Sequence, residues 1–254
     1  VRGRARVPFH ILVAQELGLE RMVVEWGEAP SIPEQLEKRV AKSWEEAKRA
    51  SGGWFDGQVA ALRGWKFRGQ ELLLSLCALP YRYVWYVYAT AFRGKAPPPE
   101  VIPRALGVSA VVEWREHLLL MVRSNDVAEF PGRLDVFGGH IEPDVHGEWP
   151  SPQESIVREL CEELLLERRS VRLRSVLGLV EVARTRKPEL VFAAEIEPGA
   201  WQDAPPKGDA EVAKVIAVPI NELSDYFSRH KKRLTPSAHG SLELWSRLTW
   251  PAGL

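Results

Sequence analysis

The sequence predicts an α/β protein, a sandwich built on a mixed sheet with an N-terminal α+β elaboration. Three observations lead there. Short β-type apolar runs alternate with helix-period segments along the chain, the arrangement that builds a sheet covered by helices. The run Ala96 to Glu100 (APPPE), with Pro103 shortly after it, cannot continue a helix or a central strand, and it divides the chain. The stretch from Ser151 to Leu166 carries a full helix-start signal and then a dense set of carboxylates. The expected organisation is an elaboration over residues 1–104 that contributes to substrate binding, and a main domain over 105–254.

In chain order, His10 to Val13 and Met22 to Trp26 are β-type runs, and Glu34 to Ala50 is a polar helix entered through Ser31 and Pro33. Val59 to Leu62 and Glu71 to Leu76 form a strand pair joined by a turn near Arg68 and Gly69. Beyond the proline-rich division, Val108 to Glu113 and Leu118 to Arg123 read as a hairpin, with a loop from Ser124 to Arg133. A short strand, Leu134 to Phe137, then runs into Gly138-Gly139. After the carboxylate helix come a strand pair (Leu173 to Arg184, Leu190 to Ile196), a strand near Val212 to Val218 and two terminal helices.

Composition narrows the function. A chain of 254 residues, 45% hydrophobic, can bury a sizeable core. Lys plus Arg equals Asp plus Glu at 34 each, so no overall field exists to hold a long polyanion and a nucleic-acid partner is not expected. A local pocket for one diphosphate remains compatible with that balance. Cys77 and Cys161 sit in apolar stretches without metal spacing and read as buried thiols of a reducing compartment. Glu16, Glu20 and Arg21 interrupt the early apolar runs, so export is not expected. Pro80 and Arg82 break the most apolar stretch, Leu72 to Phe92, which reads as a core strand followed by an amphipathic segment and not as a membrane span. The expectation is a cytoplasmic monomer or homodimer with no membrane partner. Trp245 and Trp250 fit either a subunit interface or the core.

The informative segment is Gly138 to Leu166, GGHIEPDVHGEWPSPQESIVRELCEELLL. Ser151 can cap a helix starting at Pro152, with Glu154 completing a capping box. At about 100° per residue, Val157, Leu160, Cys161 and Leu164 make an apolar stripe, and Glu159, Glu162 and Glu163 gather opposite it. Carboxylates this close repel one another, and Mg²⁺, a hard ion that takes oxygen ligands and accepts phosphate oxygens, offsets that repulsion. By itself RELCEEL is also an ordinary exposed helix face. Gly138-Gly139 and Glu142 upstream shift the balance, because glycines after a strand permit tight backbone geometry and leave carbonyls for a metal.

This segment resembles the Nudix box, G-x5-E-x7-R-E-U-x-E-E-x-G-U with U aliphatic. Gly139, Arg158, Glu159, Leu160, Glu162 and Glu163 match it in order. The loop between Gly139 and Arg158 is five residues longer than the pattern, which leaves Glu142 and Glu148 as alternative loop glutamates, and Leu165 replaces the late glycine. More of the chain is similar to the UDP-glucose diphosphatase branch of that superfamily. The likeness runs through Phe67-Arg68, Tyr81-Arg82, LGVSAVV, VAEFPGRLDVFGGHIEP, ESIVRELCEELLL and TPSAHG at Thr235 to Gly240. That branch shares the long loop and the missing glycine.

The resemblance implies an α/β/α sandwich and hydrolysis of UDP-glucose or a related UDP-sugar to UMP and a sugar 1-phosphate, with Mg²⁺, or Mn²⁺ in its place. It implies Glu159 and Glu163 as metal ligands, Glu162 as a ligand or its neighbour, the Gly138 carbonyl as an addition, and Arg158 paired with a loop carboxylate. Arg68 and Arg82 suit bidentate capture of phosphate oxygens. Phe67, Tyr81 and Phe130 suit stacking on a base, against a default role in the core. Asp135 would orient the glycine loop, Glu211 would supply an extra carboxylate for water activation, and His140 and His239 are weaker candidates for phosphate or ribose contacts. Arg123 and Glu129 flank the variable loop and could face substrate, against a default place at a solvated hairpin end. Competing readings are a hydrolase of another nucleoside diphosphate conjugate, such as an ADP-sugar or dinucleotide, and a non-catalytic nucleotide-sugar binder. A pure binder would gain nothing from three mutually repelling carboxylates.

Overall fold

A computed structural model describes residues 8–51, 55–127, 129–202, 205 and 208–249. The first part of the chain forms β1 (Phe9–Leu17), β2 (Met22–Trp26), α1 (Glu34–Ser51), β3 (Gln58–Arg68), β4 (Glu71–Pro80), α2 (Tyr81–Ala91) and β5 (Arg104–Ala105). There follow β6 (Gly107–Trp114), β7 (His117–Arg123), β8 (Leu134–Asp135), β9 (Phe137–His140) and α3 (Pro152–Glu163). The chain closes with β10 (Val171–Val182), β11 (Lys187–Ile196), β12 (Val212–Pro219), α4 (Leu223–His230) and α5 (Pro236–Thr249).

The α/β reading holds, and the sheet is mixed as expected. The main sheet runs β1-β10-β11-β6-β7-β12, with β9 added to β6 and β8 to β7. The β11–β6 pair is parallel and its other pairs are antiparallel. α5 and α4 cover one face through Leu242, Trp245 and Phe227, packed on Val111, Leu120 and Val191. Trp245 is therefore a core residue and marks no subunit interface, while Trp250 lies outside the described residues. The other face packs on α3 and on a second sheet, β2-β4-β3-β5. Leu72, Leu74 and Leu76 of β4 share one core with Ile156, Leu160 and Phe192. Cys77 and Leu79, on the opposite face of β4, pack with Val40 of α1 and Val87 of α2. Cys77 is buried as expected; Cys161 is only half-buried, because it turns away from the α3 packing face.

The division at 104/105 does not follow the sheets. β1, from the first part of the chain, is the edge strand of the main sheet and pairs antiparallel with β10, Phe9 opposite Val182. The Ala60 N–H also donates to the Ile141 carbonyl at 2.8 Å, and the Leu106 N–H to the Ala60 carbonyl at 2.8 Å. The proline-rich run is likewise a packed strap and not a free linker. Ile102 is fully buried, and the buried Arg104 guanidinium donates to the carbonyls of Pro97, Ile102 and, at 2.9 Å, Thr185. Proline has no N–H with which to hold the segment in a ladder, and Arg104 supplies donors to the carbonyls of Pro97 and Ile102 in its place. Burial and the nearby Arg186 pull the Arg104 guanidinium down to about 10. Arg104→Ala leaves these carbonyls without that donor and is expected to lower unfolding free energy by about 3 kcal/mol, measured by urea denaturation. A loss below about 0.5 kcal/mol would show the strap to be held by its apolar contacts alone.

Candidate active site

α3 begins as its sequence dictates. Ser151 Oγ accepts from the Glu154 N–H at 3.1 Å, and Glu154 Oε2 accepts from the Ser151 N–H at 2.8 Å, with Pro152 in the first turn. The far end departs from ordinary practice. Leu165 adopts φ 53, the left-handed conformation that favours glycine. Its N–H donates to the Glu162 carbonyl at 3.3 Å, and the Leu166 N–H reaches back to the Cys161 carbonyl at 2.9 Å. This is a Schellman cap, and it explains on physical grounds why a glycine suits the position that Leu165 holds.

The face assignment of the helix needs correction. Glu163 does not sit opposite the apolar stripe; it lies on the packing face with Pro152, Ile156 and Leu160 and is 4% exposed. Its Oε2 accepts the Gly138 N–H at 2.9 Å. Glu159, one turn earlier, lies against Gly139, where an added Cβ would stand 2.6 Å from the carboxylate. Glu162 points outward and is exposed, as residue spacing on the helix requires. The glycines do not form a loop after a strand. They are part of β9, where Gly138 pairs with Ser109 at φ 149 and a Cβ would meet the Val108 carbonyl at 2.0 Å. Their smallness lets β6 on one side and Glu159 on the other close onto the strand.

Burial raises Glu159 to about 7, with Glu162 and Glu142 adding to the rise against Arg158. Burial and the Glu159 charge hold Glu163 well above the usual carboxylate range, against the Gly138 hydrogen bond. Two carboxylates disfavoured as anions by burial and by one another are a donor set that a hard divalent cation suits. Among the described residues no three His, Cys, Asp or Glu side chains already form a closed cage. The residues able to hold a cation are this pair, with Glu162 and Glu142 at its rim. Glu142, not Glu148, is the loop glutamate near the helix, since the charges of Arg158, Glu211 and Glu162 all act on it. Arg158 reaches Glu159 Oε1 at 3.5 Å, and its charge also acts on the loop glutamate Glu142.

Beside the carboxylates opens a cavity of about 340 Å³. Gly138, Gly139 and the exposed Glu211 border it, and Tyr81, Asp135, His140 and Phe130 line it. Asp135 is buried and accepts from the Thr235 hydroxyl at 2.7 Å, the Val136 N–H at 3.0 Å and Arg123 at 3.3 Å, which fixes the strand entering the glycines. Of the two places open to Arg123 and Glu129, the structure selects the cavity, which both line, and neither sits at a solvated hairpin end; Arg123 Nε donates to the Glu129 carbonyl at 2.9 Å. Burial holds the His140 imidazole down to about 3, so it is neutral.

Four expected substrate contacts lie elsewhere. Phe67 and Arg68 sit at the exposed β3–β4 hairpin end, where Arg68 pairs with Glu71 at 3.1 Å. Arg82 is committed to Asp56 at 2.7 Å and Glu37 at 3.4 Å, and so fastens α2 to α1. His239 packs against Phe9, ring centroids 4.9 Å apart and tilted. Conversely, Lys187, Glu189 and Ser237 line the cavity unannounced. Lys187 and Glu189 fall in what reads as the turn between two strands, and only the polar-Pro-polar spacing hints that both share a strand face.

The NUDIX domain family model matches residues 103–238, which is more than half of the chain. The chain belongs to the NUDIX family, and hydrolysis of a nucleoside diphosphate derivative with a divalent metal such as Mg²⁺ is the activity class this membership supports. No curated protein matches the chain. A solved protein of Deinococcus radiodurans is 22% identical, covering 50% of this chain and 74% of its own, at TM-score 0.38. A NUDIX hydrolase from Nitrosomonas europaea is 18% identical over 57% of this chain and 89% of its own, at TM-score 0.42. A bifunctional NMN adenylyltransferase/ADP ribose pyrophosphatase from Francisella tularensis, solved with AMP and a manganese ion, is 14% identical at TM-score 0.43. It aligns with 65% of this chain, which spans only 46% of its length. Among the described residues no helix is long and apolar enough to cross a membrane.

Two measurements probe this site. Leu165→Gly relieves the left-handed backbone and is expected to stabilise the protein by up to about 1 kcal/mol in urea denaturation; a destabilised variant would show the cap to be unstrained. The folded protein holds the Glu159 proton more tightly than the unfolded chain does, so without metal this stabilisation is present below pH 4.5 and is lost as pH rises through about 7. Mg²⁺ is therefore expected to raise the melting temperature more above pH 7 than below pH 4.5, and an equal rise at both would remove Glu159 from the metal site.

Proposed function

We propose that the chain hydrolyses the diphosphate of a nucleotide sugar, UDP-glucose or a related UDP-sugar, to UMP and a sugar 1-phosphate, in the presence of Mg²⁺ or Mn²⁺. The observation that carries the reading is the buried Glu159–Glu163 pair seated on Gly138-Gly139 at the edge of a polar cavity of about 340 Å³. Uridine and the sugar rest on the sequence likeness described above. When bound, the cation would stabilise negative charge on the phosphate oxygens.

Glu159 and Glu163 hold the cation, with Glu162 at the outer rim. Gly138 keeps Glu163 pointed at the strand, and Arg158 steadies Glu159 from the solvent side. Glu211, exposed at the cavity mouth, accepts the proton of the attacking water. The new O–P bond forms as the bridging P–O bond breaks, and the leaving phosphate departs with the bridging oxygen. Asp135, through Thr235 and Arg123, keeps β8 and β9 in place while this happens. Tyr81 and His140 form the wall against which the rest of the substrate lies.

Incubation with Mg²⁺ and UDP-glucose, ADP-ribose, ADP-glucose or NADH in parallel is expected to give UMP and glucose 1-phosphate from the first alone. Turnover of an adenine conjugate in its place would discard the uridine reading, and tight UDP-glucose binding without turnover would favour a binder. Glu163→Gln is expected to lower turnover about a hundredfold with an unchanged circular dichroism spectrum; near-normal activity would reject the assignment of the pair.

A further inference from the structure

β11 opens with Lys187, Pro188 and Glu189. Side chains two apart share a strand face, and Pro188 stands just before Glu189, where β11 starts to pair with β6. Lys187 Nζ lies 3.3 Å from Glu189 Oε1, with the two side chains 18% and 7% exposed, and both line the cavity. Glu189 rests on the bare Cα of Gly107, where a Cβ would stand 2.0 Å from its Oε2. Taking two charges out of water costs more than their attraction reliably returns, so the pair is no simple stability device. It is instead a fixed donor beside a fixed acceptor in a cavity wall. An ammonium has three N–H bonds, and among the described residues Glu189 is its one ion-pair partner.

Strand register locates the pair. Glu189 is level with Gly107, which is level with His140, while Val191 is level with Ser109 and Gly138. At about 3.3 Å per residue, the backbone of Glu189 lies about 7 Å and that of Lys187 about 13 Å along the sheet from the level of Gly138, whose N–H bonds the Glu163 carboxylate. That separation is comparable with the reach of a nucleotide from its phosphates to the far edge of its base. At the same level the His140 Nε2 is buried without a hydrogen-bond partner, and its ring meets Tyr81 edge-on at 6.1 Å. Past Lys187 lies a recess of about 20 Å³, lined by Val84, Val87 and Tyr88 together with Arg104, Glu129 and Thr185, which is too small to admit a hexose.

We propose that the Lys187–Glu189 pair reads the uracil edge, with Lys187 donating to the O4 carbonyl and Glu189 accepting the N3–H, so that the base lies at this end of the cavity and the sugar at the other. The assignment rests on the uridine conjugate proposed above. Uracil offers one donor beside one acceptor on a rigid edge, which a locked pair can match; a hexose offers rotatable hydroxyls that require several partners each.

The test is calorimetric titration of the protein, its Lys187→Met variant and its Glu189→Gln variant with UMP, CMP, AMP and glucose 1-phosphate in Mg²⁺. Each variant is expected to bind UMP about tenfold or more weakly, with glucose 1-phosphate and Mg²⁺ affinities unchanged. Glu189→Gln, whose amide can turn either way, is also expected to narrow the preference for UMP over CMP. It keeps the shape of the side chain and supplies the test should Lys187→Met fail to fold. A UMP-binding protein whose variants bind UMP normally, or lose glucose 1-phosphate instead, overturns the assignment of the pair. A wild-type protein that prefers AMP overturns the uridine reading, and with it the edge assigned here.

Discussion

The close approach of two helix carboxylates to a glycine strand is the contact on which the candidate active site depends. Glu163 bonds the Gly138 amide, Glu159 fills the space where a side chain at Gly139 would stand, and β6 crowds Gly138 from the other side. None of these contacts survives a larger residue at either glycine without movement of the helix or the sheet. Seating charge-bearing groups this deeply raises their proton affinity and is unfavourable until a cation arrives. The helix is therefore held in place by other means: a reciprocal cap at Ser151, apolar packing through Ile156 and Leu160, and the backbone hydrogen bonds that close its far end at Leu165 and Leu166.

Those other means come partly from the first part of the chain. The second sheet presses Leu72, Leu74 and Leu76 into the core beneath α3, and β1 completes the edge of the main sheet. The proline strap, pinned by Arg104 through the carbonyls of Pro97, Ile102 and Thr185, lets the chain pass from one sheet to the other. Tyr81, at the start of α2, reaches the cavity wall from this same elaboration. The elaboration thus packs into the core beneath the carboxylate helix and lends a residue to the cavity wall, which a free-standing appendage could not do.

Charge is distributed around the cavity with a clear division. Carboxylates gather where the metal would bind, at Glu159, Glu163, Glu142 and Glu211. The two cations of the wall, Arg123 and Lys187, are each tied to an acidic partner. A cavity whose cations are already neutralised does not attract a long polyanion, in keeping with the zero net charge. It can still discriminate, because bonded donors and acceptors in a dry wall penalise any ligand that fails to match them.

The elements whose signals are local could be read from the residues alone. The capped start of α3, most of the strands, the α2 segment and the pairing of Gly139 with Arg158 to Glu163 all follow from short-range periodicity, capping chemistry and motif order. Asp135, Tyr81 and His140 were also found there, and the structure brings all three to one cavity. Residues whose role depends on contacts distant in sequence could not be read so. Helical spacing put Glu163 opposite the apolar stripe, but the packing direction of α3 is set by the sheet, which turns that residue inward. Arg82 carried the right chemistry for a phosphate, yet Asp56 and Glu37, 26 and 45 residues away, claim it. Lys187 and Glu189 looked like turn residues until β6 and β10 paired with their strand on either side. Local sequence sets where helices and strands begin, since those choices rest on dihedrals and near neighbours. Which side chain faces the cavity is set by strands and helices far apart in the chain, through register and burial that exist only once they have come together.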